Sequence, residues 1–145
     1  MSYNTETASA VPIIDHVGIA VNSLEMAVPL WTAMLGREPA GEETVESEQV
    51  RVAFFGDGAG RVELLEPTGP ESAIARHLER RGEGVHHVCV RVPDLDDSIG
   101  RLRASDIEPI PPAIREGAEG ARVAFIHPRA TGGVLLELRE APGGR

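Results

Sequence analysis

One property constrains the fold of this chain more than any other: it repeats itself. "HVGIAVNSLEMAVPLW" (His16 to Trp31) aligns with "HVCVRVPDLDDSIGRL" (His87 to Leu102) at a constant offset of 71 residues. His16 pairs with His87, Val17 with Val88, Val21 with Val92 and Leu24 with Leu95. The same offset matches "VAFF" (Val52 to Phe55) with "VAFI" (Val123 to Ile126). A slightly longer loop then brings "VELL" (Val62 to Leu65) onto "LELR" (Leu136 to Arg139). Matches kept in one order describe two copies of one supersecondary unit.

Each copy reads as β-α-β-β-β. Ile13–Val21 and His86–Val92 alternate and are rich in β-branched residues, the pattern of half-buried strands. Leu24, Val28, Trp31 and Leu35 recur at helical spacing behind Ser23, a good N-cap, although Pro29 costs that helix one hydrogen bond. Leu95, Ile99 and Leu102 repeat the pattern behind Asp94. Strands are expected near Glu43–Val45, Val50–Phe55 and Arg61–Glu66, and again near Glu108–Ile110, Arg122–His127 and Gly133–Arg139. The turns "GDGAG" and "RATGG" separate the last two of each set. "PESAIARHLERRGEG" predicts a linking helix over residues 70–82, ended by glycine. The predicted organisation is a polar, disordered tail over residues 1–10 and a single domain over 11–141. Its parts are module one (11–67), the linking helix and module two (85–140).

Period-two parity separates the faces of the first strands. Val17, Ile19 and Val21 share one face, as do Val88, Val90 and Val92, and these faces are expected on the helices. His16, Gly18 and Ala20, with His87, Cys89 and Arg91 in the second copy, make the opposite wall. His86 falls on the valine side and reads as a rim or packing residue. Asp15 points away from His16 and reads as an arginine partner or turn cap. His77 and His127 read as structural or surface residues, and Cys89 as a small buried filler. In the last strands Glu63 and Glu137 sit mid-strand in apolar settings, where a carboxylate costs several kcal/mol unless exposed, paired or bound to metal. Two His from equivalent first strands and two Glu from equivalent last strands form a pseudo-symmetric set: His16, Glu63, His87 and Glu137. N and O ligands of this kind suit a divalent first-row metal with positions left open.

The bulk properties narrow the function classes. A net charge of −9 argues against a nucleic-acid partner. All 14 basic residues are Arg, which excludes lysine Schiff-base or lysine general-base chemistry. No apolar run approaches the length of a membrane span, and the polar N-terminus "MSYNTETASA" has no secretory h-region. Cys89 is the single cysteine, so no intrachain disulfide is possible, and a cytoplasmic location is expected.

With these residues placed, the chain resembles the vicinal oxygen chelate superfamily of glyoxalases, bleomycin resistance proteins and dioxygenases. Within it, the chain is most similar to the methylmalonyl-CoA epimerase family. "IDHVGIAV", "VELLEP", "SAIARHLERRGEGVHHV", "RVAFIHP" and "GVLLEL" carry the resemblance across most of residues 13–140. The helix running into "GEGVHH" is the most discriminating segment. The resemblance implies an α+β fold in which two paired βαβββ modules form a cup-shaped, half-open barrel around a metal. It places the ligands on His16, Glu63, His87 and Glu137. Cobalt or manganese is the metal expected, with zinc or nickel as alternatives, and a homodimer is the expected assembly. Glu63 stands where some members have Gln, which makes the site one charge more negative. "EGAEGARVAF" matches the family's glycine-rich loop.

The implied activity is inversion at C2 of methylmalonyl-CoA, through removal and return of the α-proton by two acid–base groups. Bound metal would stabilise the developing enolate. Glu137 matches one acid–base position. At the other, some members carry a glutamate where this chain has Val52, and Glu48 is the candidate substitute. An acyl-CoA partner requires arginines for its phosphates, for which Arg91, Arg115, Arg122 and Arg129 are candidates. A glyoxalase I-like lyase acting on a glutathione or other thiol adduct would use the same His–Glu–His–Glu set. It is disfavoured by "VELLEP" and by "HPRATGG" before the last strand. An extradiol dioxygenase wants two His and one carboxylate, so Glu63 counts against it. A metal-free binding protein needs aromatic stacking surfaces, and the chain has one Trp, one Tyr and three Phe.

Overall fold

A computed structural model describes residues 12–142; the expected tail over 1–10 lies outside the described residues. Eight strands and four α-helices occur in the order β1 (Ile13–Ala20), α1 (Leu24–Leu35), β2 (Gly41–Val45), β3 (Val50–Phe55), β4 (Arg61–Pro67), α2 (Ala73–Arg81), β5 (Gly84–Val92), α3 (Leu95–Ala104), β6 (Arg115–Glu116), β7 (Arg122–Ile126), α4 (Pro128–Thr131) and β8 (Leu136–Glu140). This is the expected mixed α+β class. Among the described residues, no helix is long and apolar enough to cross a membrane.

The chain divides into two compact units, Asp15–Val88 and the described parts of Met1–Ile14 with Cys89–Arg145. In the unit Asp15–Val88 the strands lie in the order β2-β3-β4-β1. β2 and β4 flank β3 in antiparallel fashion, and β1 lies parallel to β4 with His16 opposite Arg61 and Gly18 opposite Glu63. The Ser23 hydroxyl accepts from the Met26 N–H at 3.2 Å, as its N-cap position requires. Pro29 lies inside α1. Val21, Leu24, Ala27, Phe55 and Leu64 form the core beneath that helix, with Ile19 and Trp31 against it.

A second cluster corrects the expectation that Ala20 lines a cavity wall. Ala20, Val50, Val52 and Leu65 are closed over by Ile74 and Leu78 of α2, and Ala20 is fully buried. The helix linking the two repeats therefore seals one end of the face that carries His16 and Gly18.

The other unit has the order β5-β8-β7-β6, with β7 antiparallel to both β6 and β8. Asp94 caps α3 through the Asp97 N–H at 3.0 Å. Val92, Leu95, Ile99, Ala124 and Leu138 form its core. The strand expected at Glu108–Ile110 is absent. Pro109, Pro111 and Pro112 remove the N–H groups a ladder needs, and the pairing partner of β7 is the two-residue β6 instead. The "RATGG" turn contains a short helix, α4, whose N-cap is His127.

The repeat extends to its polar details. In the first copy Glu66 accepts from the Leu24 N–H at 3.1 Å; in the second Glu140 accepts from the Leu95 N–H at 2.9 Å. In each copy the carboxylate ending the last strand holds the first N–H of that copy's helix, where the helix dipole also favours negative charge.

Candidate metal centre

Three of the four expected ligands fall within the unit Asp15–Val88, on strands placed side by side by the repeat. His16 is 3% exposed, and its Nδ1 lies 2.7 Å from Asp15 Oδ2. With the Nδ1 proton donated to that buried carboxylate, Nε2 keeps its lone pair. This is the tautomer a metal-ligating histidine needs. Glu63, on β4, is 2% exposed; its Oε2 accepts from Arg61 Nη2 at 2.9 Å and lies 3.1 Å from His16 Nδ1. The same Arg61 nitrogen reaches Asp15 Oδ2 at 3.3 Å. Arg61 thus places one positive charge between two buried carboxylates, which offsets the extra charge of Glu in place of Gln. Phe54, opposite Glu63 across the sheet, lies under the Arg61 guanidinium at 5.4 Å.

His87 is held from three sides. Its Nε2 lies 3.0 Å from His16 Nε2, and the two rings meet edge to face. Its Nδ1 lies 2.9 Å from His86 Nδ1. Its ring fills the space above Gly18, where an added Cβ would stand 2.3 Å from Cε1. Gly18 is therefore needed for the space that its missing side chain leaves.

Two Nε2 lone pairs 3.0 Å apart repel unless a proton or a cation lies between them. Two nitrogens bound to one metal at about 2.1 Å each would stand about 3.0–3.4 Å apart. The observed spacing lies in that range, while the buried Glu63 carboxylate lies on the Nδ1 side of His16, held there by Arg61. The paired Nε2 donors fit a divalent metal.

The remaining site residues are placed less uniformly. Glu137 lies on β8, 7% exposed, opposite Phe125, with Gly117 close to its Oε2. Glu48 does not share the parity of β3. It ends a 3-10 turn, Glu46–Glu48, before that strand begins, because Gln49 adopts a left-handed conformation (φ 50°) that breaks the extended run. Val52 is 2% exposed inside the cluster under α2, so the position that the resemblance matched to an acid–base group is part of the apolar core.

Among the candidate arginines, Arg122 is bound to Asp96 and Glu140, whose carboxylates raise its pKa above the ordinary value. Arg115 binds the carbonyls of Ile110 and Pro111 and lies over Phe125. Arg91 is half-buried on β5, and Arg129 is exposed on α4.

Parity puts Gly18 on the wall with His16, where it faces the His87 ring, and reads His86 as a rim or packing residue, and its ring packs on His77. Asp15 is the expected arginine partner, bound to Arg61, and its carboxylate also turns back onto the His16 imidazole, which its parity does not predict. The available signal for Arg61 was its parity with Glu63 two residues on. His127 is exposed and serves as a cap, accepting from the Arg129 N–H. Cys89 is fully buried.

Residues 15–125 match the model of the Glyoxalase/Bleomycin resistance protein/Dioxygenase superfamily. An ethylmalonyl-CoA/methylmalonyl-CoA epimerase of Cereibacter sphaeroides is 34% identical over 88% of this chain and 96% of its own. The crystal structure of methylmalonyl-CoA epimerase from Mycobacterium tuberculosis superposes with a TM-score of 0.83 at 37% identity, covering 90% of this chain and 89% of that one. A methylmalonyl-CoA epimerase in complex with methylmalonyl-CoA and NH4+ gives a TM-score of 0.84 at 35% identity, over 90% and 95% of the two chains. With a family model spanning most of its length and relatives of this similarity, the chain belongs to the Glyoxalase/Bleomycin resistance protein/Dioxygenase superfamily.

Proposed function

We propose that this protein is an epimerase that inverts C2 of methylmalonyl-CoA, and that His16, Glu63, His87 and Glu137 hold a divalent metal, Co2+ or Mn2+ by preference. The observation that carries the metal reading is the buried pair of Nε2 atoms 3.0 Å apart, with an Asp15 carboxylate behind His16. The similarity to epimerases, one of them solved with methylmalonyl-CoA, supports the substrate class. A cation bound there would supply Lewis acidity for the negative charge that develops on the acyl group when its α-proton leaves.

The chain's own residues supply the proton chemistry. Glu137, mid-strand and buried, is assigned one proton at C2, and Glu48 the proton on the opposite face. Asp15 and Arg61 fix the first histidine and the Glu63 carboxylate, so that neither reorganises when substrate arrives. The acyl-CoA phosphates call for arginine, and Arg129 suits them better than Arg115 or Arg122, which are tied into their own unit. We assign the protein to the cytoplasm and to a homodimer. In support of the dimer, Met26, Leu30 and Met34 form an exposed apolar stripe along α1 at i, i+4 and i+8.

Incubation of the metal-loaded protein with methylmalonyl-CoA in deuterated water tests the reading. Deuterium should enter at C2 at a rate that falls when metal is removed. No exchange, or turnover of a glutathione hemithioacetal in its place, would sink it in favour of the lyase.

A further inference from the structure

The histidine doublet holds a contact that the metal site alone does not require. His86 Nδ1 lies 2.9 Å from His87 Nδ1, and the His86 ring packs edge to face on His77 of α2, with centroids 5.2 Å apart. If Nε2 of His87 binds metal, the proton of that neutral ring must sit on Nδ1. It then points at the lone pair of His86 Nδ1, and His86 is fixed as the Nε2–H tautomer. Metal-bound histidines are ordinarily oriented by an acceptor at the second nitrogen, and loss of that acceptor weakens the site. His16 has a carboxylate in that place, Asp15. The corresponding place behind His87 is taken by the imidazole of His86.

We infer that His86 is a positioning residue, which sets the tautomer and ring orientation of His87 by accepting its Nδ1 proton; this rests on the metal reading above. The two histidines of the doublet then act in series. One ring faces Gly18 and His16, and the other holds it from behind while anchored on His77. The two arms differ in kind: Asp15 offers His16 a carboxylate oxygen, whereas His86 offers His87 a ring nitrogen. Packing adds to that hold, from Gly18 on one side and the His77 ring beyond His86 on the other.

The test uses the full chain with Co2+ alone as probe, following affinity by calorimetry and the visible d–d spectrum, with thermal unfolding of the metal-free protein as control. His86→Phe keeps the ring packing on His77 and removes the acceptor. It should weaken Co2+ binding roughly 10- to 100-fold and alter the spectrum while leaving metal-free unfolding near that of the parent. His86→Asn restores an acceptor oxygen and should recover part of the loss, which a purely structural role would not produce. In the Zn2+-loaded parent, long-range proton–nitrogen spectra should show His86 as the Nε2–H tautomer. If His87→Ala abolishes binding while His86→Phe matches the parent in affinity and spectrum, the inference fails and the metal site stands. If the parent binds no Co2+, or His87→Ala binds it equally well, the metal reading itself fails and the inference falls with it.

Discussion

Gly18→Ala is the smallest change that separates the site from the fold. An alanine Cβ at position 18 would stand 2.3 Å from His87 Cε1, 2.6 Å from Nδ1 and 2.8 Å from Nε2, all inside the 3.4 Å at which ordinary contact begins. The ring must therefore retreat by about 1 Å. The obstacle is the tip of a side chain, so rotation about its χ angles relieves the clash at about 0.5–1.5 kcal/mol and spares the backbone. Functional groups are less forgiving: a misplacement of about 1 Å costs roughly 100-fold, equivalent to about 2.7 kcal/mol. Gly18→Ala should thus fold with a modest loss of stability and bind Co2+ or Mn2+ about 100-fold more weakly. Calorimetric titration with metal, paired with denaturant unfolding of the metal-free protein, measures both. Parent-like metal affinity, or a crystal structure with the His87 ring unmoved, would refute the reasoning.

Three further outcomes are expected. Glu140→Ala removes the acceptor for the Leu95 N–H and one partner of Arg122, and should lower stability by about 1–2 kcal/mol, a few degrees in Tm by calorimetry, with metal affinity unchanged. Val52→Glu buries a carboxylate among Val50, Leu65 and Ile74; it should cost several kcal/mol in urea unfolding and yield no gain in C2 exchange. Burial, with Arg81 nearby, lowers the pKa of His77 below its ordinary 6.5, so the unfolded chain binds the proton more readily. Its contribution to stability is whole above 6.5 and is lost as the pH falls below that value. The urea midpoint of His77→Gln should therefore fall less than the parent's between pH 7.5 and 5.5.

Much of this architecture is legible from the repeat because duplication turns weak signals into paired ones. Valine alternation locates β1 and β5, and each confirms the other. The caps Ser23 and Asp94 occupy equivalent places and both form their expected bonds. The strand expected at Glu108–Ile110 fails where the copies diverge: three prolines had entered the second copy, and local backbone chemistry overrode the symmetry. Parity also reaches only as far as the strand is regular. It sets Asp15 on the face away from His16, yet the Asp15 carboxylate turns near the strand's start toward that ring. Ala20 shows a further limit. Its parity is that of His16, but α2 arrives from later in the chain to cover it, and a long-range contact of that kind leaves no mark in a strand's own period.

The central claim is that paired histidines from the two repeats hold a divalent metal for an epimerase. Elemental analysis of the purified chain, as isolated and after reloading with Co2+ or Mn2+, tests it most directly when run beside His87→Ala. The account predicts one tightly held divalent ion per parent chain and its loss from the variant. An ion-free parent that cannot be loaded, or equal metal content in both proteins, would contradict it.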